Sequence, residues 1–182
     1  MYLSGRTTTE KMPVSGETVT VKRLWFPTVA DQLLFLRRLI KQWRALQWCR
    51  DMAHDIVFSQ AHCQPKDQIA HAIAIAQWVQ DRIHYVNELP ETFQTPIRTV
   101  KNGFGDCDDF TTLIGSLCEA IGIPITVVGM QLDREWVHVF PEAQIGGQRI
   151  PLDATLTGPM SAIPDPIGQS LAAGHRVHTL RL

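Results

Sequence analysis

Between Asp31 and Gln60 the apolar residues Leu36, Leu39, Trp43, Leu46, Cys49, Ala53 and Ile56 recur at three- and four-residue steps. Arg37, Arg38, Lys41, Arg44 and Arg50 lie between them. This period predicts one long amphipathic helix with a basic outer face, with Asp31 as its N-cap. The pattern breaks from Ala61 to Pro65, then resumes near Pro65 and Asp67 and runs through Ile69, Ile73, Ala76 and Trp78 to about Ile83, a second helix. Asn87 to Asp106 holds two prolines, two glycines and little periodicity, and reads as a long loop of the kind that serves function. A third helix is expected to start at Asp106 or Cys107 and to end at Gly122, a residue suited to the left-handed position after a helix.

Beyond Gly122 the period changes. Ile123 to Met130, Glu135 to Phe140 and Gln148 to Leu152 are short runs rich in β-branched and aromatic residues. Gly146-Gly147 predicts a hairpin between the last two. Helices first and an antiparallel sheet afterwards make an α+β fold. Glu17 to Val21 alternates as a strand or extended arm, and His175 to Leu182 reads as an edge strand. The expected organisation is one domain: an N-terminal arm and helical extension over 1–65, a core over 66–160 and a tail over 161–182.

Composition narrows the function classes. With 182 residues, 45% of them hydrophobic, the chain can bury one core. A net charge of -1 supplies no excess of cations for nucleic acid or an anionic membrane surface. Met1 to Arg6 lacks a signal-peptide pattern and no run reaches the ~18 apolar residues of a membrane span, so a cytoplasmic location is expected. The cysteines at 49, 63, 107 and 118 form no CxxC pair, which argues against a zinc ribbon or a disulfide framework. Cys49, Cys63 and Cys118 read as structural, with Cys118 buried on the face it shares with Cys107.

Cys107 has the neighbours that thiol chemistry requires. A free cysteine with a pKa of ~8.5 is mostly protonated at neutral pH, and a helix N-terminus contributes only ~0.3 to 1 kcal/mol toward the thiolate. A cationic histidine must supply the rest. His138 is the candidate, since it shares a strand face with Trp136 and Phe140 while Val137 and Val139 face the other way. Asp153 follows the next strand, where a hairpin at Gly146-Gly147 brings its carboxylate to the imidazole to fix its orientation. The catalytic assignment is thus Cys107 as nucleophile, His138 as base and Asp153 as orienting acid, with no metal and no cofactor.

Four ordered blocks carry a resemblance: Gly105 to Asp109, Leu117 to Pro124, Trp136 to Val139, and Leu152 to Thr155. Together they resemble the core of the transglutaminase-like superfamily, over roughly Trp78 to Leu156. The resemblance implies a papain-like fold, with a cysteine-bearing helix packed on an antiparallel sheet that bears histidine and aspartate. It also implies acyl-enzyme chemistry on amide or ester carbonyls, in a form similar to proteins of bacteria and their prophages. A peptide or protein amide is then the expected substrate, with hydrolysis favoured over transfer to an amine because water is always available.

Other readings stay open at this stage. Asp106, Asp108 and Asp109 are expected to turn away from the sulfur and cap the helix, with a metal site or an amine-recruiting site as alternatives. Trp78, Tyr85, Asn87 and Gln94 are candidates for an oxyanion donor beside the Cys107 amide. Cys107, His138 and Asp153 could instead ligate zinc. Finally, the basic N-terminal helix suggests a protein partner and a non-catalytic assembly module that keeps the fold.

Overall fold

Helices cover one face of a four-stranded antiparallel sheet in the computed structural model, which describes residues 7–14, 17–87, 92–162 and 165–181. Met1 to Arg6, residues 88–91 of the predicted loop, residues 163–164 of the tail and Leu182 lie outside the described residues. The chain opens with a hairpin of β1 (Thr7–Val14) and β2 (Glu17–Leu24), of which the sequence pattern indicated only the second strand.

The long helix predicted from Asp31 is three pieces: α1 (Val29–Trp43), α2 (Gln47–His54) and a π turn (Asp55–Gln60). Thr28, not Asp31, is the N-cap, accepting from the Asp31 amide at 3.2 Å. The break falls at Leu46, whose backbone is extended. Thirty helical residues would run about 45 Å, beyond the reach of the core. The break also resets the buried stripe, which runs Leu33, Leu36, Ile40 and then Cys49, Ala53, Ile56 and Val57. Leu46 is left exposed.

α3 (Gln68–Arg82) starts at Asp67, whose carboxylate accepts from the Ala70 amide at 3.0 Å. After the short strand β3 (His84–Tyr85), the predicted loop contains a helix, α4 (Pro96–Asn102). Pro96 at its first turn and Gly103, at φ +72°, after its end are the punctuation that marks it. β4 (Phe104–Gly105) then pairs in parallel with β3. α5 (Cys107–Ala120) follows, buried without interruption from Asp108 to Glu119. It ends at Gly122, where φ is +85° and the amides of Gly122 and Ile123 reach the carbonyls of Glu119 and Cys118.

The sheet comprises β5 (Ile125–Leu132), β6 (Glu135–Ile145), β7 (Gln148–Pro151) and, after α6 (Pro166–Ala172), β8 (Val177–Arg181), in the order β7-β6-β5-β8. β6 continues through Pro141, past the predicted end at Phe140. The Pro141 carbonyl accepts from the Leu152 amide at 2.9 Å, so its backbone edge faces β7 where that ladder stops, a place that tolerates a missing N–H.

α2, α3 and α5 enclose the main core with Ile125, Ala143 and Leu152. α1 lays Leu33, Leu36 and Ile40 on Val127 and Val139 of the same sheet face. Leu33 lies over Gly129, which pairs with Val139 where Thr111 near the start of α5 reaches it, and Ile40 lies over Gly115 further along, so α1 and α5 run in the same direction. Their N-terminal ends therefore sit together. A Cβ at Gly115 would come within 2.6 Å of Ile40 Cδ1, which is why this crossing needs glycine. On the other sheet face, Val128, Met130 and Phe140 pack with Ile167 and Val177.

Candidate active site

The backbone leading into α5 is fixed from both sides. The His84 amide donates to the Gly103 carbonyl at 2.8 Å, and the Val86 amide to Gly105 at 2.9 Å. Asp106 is the N-cap of α5 and its Oδ1 accepts from the Asp108 amide at 3.2 Å. Cys107 is thereby the first residue of the helix, half-buried, where the first-turn amides and the helix dipole favour negative charge.

One turn on, the Thr111 hydroxyl bridges the carbonyls of Cys107, at 2.7 Å, and Val139, at 3.3 Å. That contact holds the start of α5 against β6 at Val139, the residue after His138 in the strand. Antiparallel pairing of β6 with β7 brings Asp153 to the same strand from the other side. His138 Nε2 lies 2.7 Å from Asp153 Oδ2, and the His138 ring stacks on Phe140 at 5.9 Å. A carboxylate only accepts, so Nε2 is the donor and Nδ1 carries the lone pair of a neutral ring. Asp153, 1% exposed, is itself held by Thr155, whose amide and hydroxyl donate to Oδ1 at 3.1 and 2.7 Å. The bond from the Thr155 amide is the local turn that an aspartate side chain makes with the backbone two residues on, and the Thr155 hydroxyl adds a second donor.

Trp136 departs from the expected alternation. Met130 pairs with His138 but Gln131 with Trp136, so β6 bulges at Val137 and the faces exchange. Trp136 then lies toward Gly129 and Leu33, on the side of α1, while His138 keeps the face of Phe140.

The aspartates divide their tasks. Asp106 caps α5 as expected, while Asp109 binds the segment before α4. Its Oδ1 accepts from the Gln94 amide at 2.6 Å and its Oδ2 from Gln94 Nε2 at 2.8 Å, a clamp that holds the segment before α4 against α5. Asp109 also folds over Gly105, where a Cβ would lie 2.8 Å from it. Asp106, Asp108 and Asp109 are all buried, with one oxygen from each within 4.8 Å of the others. Such oxygens suit a hard cation in kind, but the two of Asp109 are already engaged by Gln94. The three aspartates are a converging set of metal-type donors among the described residues.

Of the candidate oxyanion donors, Gln94 is committed to Asp109 and, through Nε2, to the Phe104 carbonyl at 3.1 Å. Trp78 donates to Gln60 within the helical layer. Tyr85 packs edge-on against Phe110 at 5.9 Å, beside the entrance to α5, and Asn87 is exposed. Burial pushes the Cys49 thiol up from 9.0 to about 11 and raises that of Cys118 further, while Cys63 is raised by burial and by Asp67. These three are the chemically quiet thiols of the chain. His71 is a core histidine bonded to the Gln64 carbonyl at 2.9 Å. Among the described residues no helix is long and apolar enough to cross a membrane.

A fold comparison finds a candidate protease from Parabacteroides distasonis, with a TM-score of 0.55 at 11% identity over 87% of this chain. This chain spans 37% of the length of that protein. A candidate cysteine protease from Cytophaga hutchinsonii aligns over 97% of this chain and 73% of its own, at 17% identity and a TM-score of 0.49. No curated protein matches the sequence. The family model of the transglutaminase-like superfamily matches residues 58–154, a segment that holds Cys107, His138 and Asp153. Covering more than half of the residues, and agreeing with a helix-on-sheet architecture shared with the Parabacteroides protein, that match means that the chain belongs to the transglutaminase-like superfamily.

Proposed function

We propose that this protein is a cysteine-dependent amide hydrolase acting on peptide or protein substrates, with Cys107 as nucleophile, His138 as general base and acid, and Asp153 as the group that orients His138. The observation that supports the reading is the 2.7 Å contact of His138 Nε2 with the buried Asp153, which occupies that nitrogen and leaves Nδ1 to exchange a proton with the thiol. Cys107 gives its proton to Nδ1 and its sulfur attacks the carbonyl carbon. The tetrahedral oxyanion is met by the Cys107 amide at the start of α5. The C–N bond then breaks as Nδ1 returns the proton to the leaving amine, and water, deprotonated at Nδ1, resolves the thioester.

Alkylation with iodoacetamide, followed by peptide mapping, tests the thiolate. Cys107 is expected to react faster than Cys63, the other half-buried thiol, and to keep that lead below neutral pH. A lead that vanishes below pH 7 overturns the assignment. Cys107→Ala is expected to abolish hydrolysis while leaving the fold intact.

A further inference from the structure

We propose that the part of the chain preceding the family-matched segment completes the active site, with Phe26 and Phe35 joining Phe93 in an apolar wall that selects a bulky apolar side chain on the acyl side of the scissile amide. The inference rests on Cys107 being the nucleophile.

The three rings form a closed triangle, with centroids 5.3 Å apart for Phe26 and Phe35, 5.7 Å for Phe26 and Phe93, and 5.3 Å for Phe35 and Phe93. They come from separate places: Phe26 precedes α1, Phe35 lies on α1, and Phe93 adjoins the Gln94 clamp on Asp109. All three are half-buried, whereas Leu33, Leu36 and Ile40 on α1 are buried. Aromatic rings gathered to fill a core would be covered, and these keep a face to solvent.

Their place relative to the nucleophile follows from packing. Cys107 and Phe93 are both partly exposed members of the cluster formed by α1 with Val127 and Val139. α1 and α5 run in the same direction, so the start of α1 lies level with Cys107. In the acyl-enzyme the acyl chain hangs from Cys107 while the leaving amine departs beside His138. A wall on the cysteine side therefore touches the acyl part. It offers apolar contact and no charge, so it gains from an apolar side chain and leaves a charged one poorly solvated.

The test uses acetyl-dipeptidyl fluoromethyl ketones carrying Phe or Ser at either of the two residues before the reactive group, the other being Gly. Labelling of Cys107 is followed by mass spectrometry. Each rate is divided by the iodoacetamide rate of the same variant, so that effects on the thiolate cancel. At one of the two positions Phe is expected to label at least about tenfold faster than Ser, with the ratio falling toward one in Phe35→Ala and Phe93→Ala. Should either alanine variant fail to melt cooperatively, Phe35→Leu and Phe93→Leu keep the cluster filled and are expected to lower the ratio in part. A ratio near one in the unaltered protein, or a ratio that no variant changes, overturns the wall. Slow iodoacetamide labelling of Cys107 in the unaltered protein would instead strike the nucleophile assignment.

Discussion

Replacing Asp153 by Asn tests the orientation of His138 with little change of shape. In the native site Oδ1 accepts from the Thr155 amide and hydroxyl, and Oδ2 faces His138 Nε2. A backbone N–H can only donate, so the asparagine amide must keep its oxygen toward Thr155. The opposite orientation would bury two donors against each other at a cost of about 1 to 3 kcal/mol. The NH2 group therefore points at Nε2, which must now accept, and the ring proton moves to Nδ1. The nitrogen assigned to the Cys107 proton then has no lone pair to receive it. Asn also removes the carboxylate charge that would stabilise His138 once it has taken the thiol proton, and a hydrogen bond to a charged group contributes about 1.5 to 3 kcal/mol. Three kcal/mol is a factor of about a hundred. Iodoacetamide labelling of Cys107 at pH 6 is expected to slow by about a hundredfold or more in Asp153→Asn, with the gap closing above pH 9, where hydroxide rather than His138 removes the proton. Hydrolysis of any substrate is expected to fall by about a thousandfold or more. Labelling at pH 6 within tenfold of the native rate would refute the reasoning.

Three further outcomes concern stability. Gly115→Ala, which by helix propensity alone would stabilise by about 1 kcal/mol, is expected to destabilise by about 1 to 2 kcal/mol in urea, because the new methyl group meets the buried Ile40; Ile40→Val in the same chain should recover part of the loss. Glu119→Gln leaves Arg37 and Arg44 without their shared carboxylate and is expected to cost about 1 to 3 kcal/mol in the same assay, limited by the solvent exposure of Arg44. Raising the pH should weaken the fold between about 9 and 11: the Cys49 thiol is held neutral in the folded chain up to about 11, the unfolded chain releases its proton earlier, and stability present below pH 9 is lost as pH rises through that window. Cys118, raised further, adds to the same slope, and Cys49→Ala should flatten it in urea melts taken at pH 8 and pH 10.

How much of this was legible in the sequence follows from which interactions are local. The period of three and four marked α1, α2 and α3 as helical because one face of each meets the core, and Asp106 and Gly122 bounded α5 through caps only a few residues long. Period two and Gly146-Gly147 marked β6 and β7, and so the hairpin that brings Asp153 to His138. Each of these signals acts between neighbours in the chain, so the α+β order and the order of Cys107, His138 and Asp153 are legible in the sequence.

What only the tertiary structure decided depends on contacts between distant residues. The break between α1 and α2 is set by the extent of the core, and the bulge at Val137, which turns Trp136 away from His138, by the pairing of β6 with β5. Gln94 binds Asp109 across 15 residues, and Thr111 reaches Val139 across 28. No local period encodes such contacts, because each exists only once the loop between its partners has closed. The sequence by itself determined which residues are chemically capable; the closing of those loops decided that α1 lies beside Cys107 and that the aspartates around the thiol became a cap and a clamp.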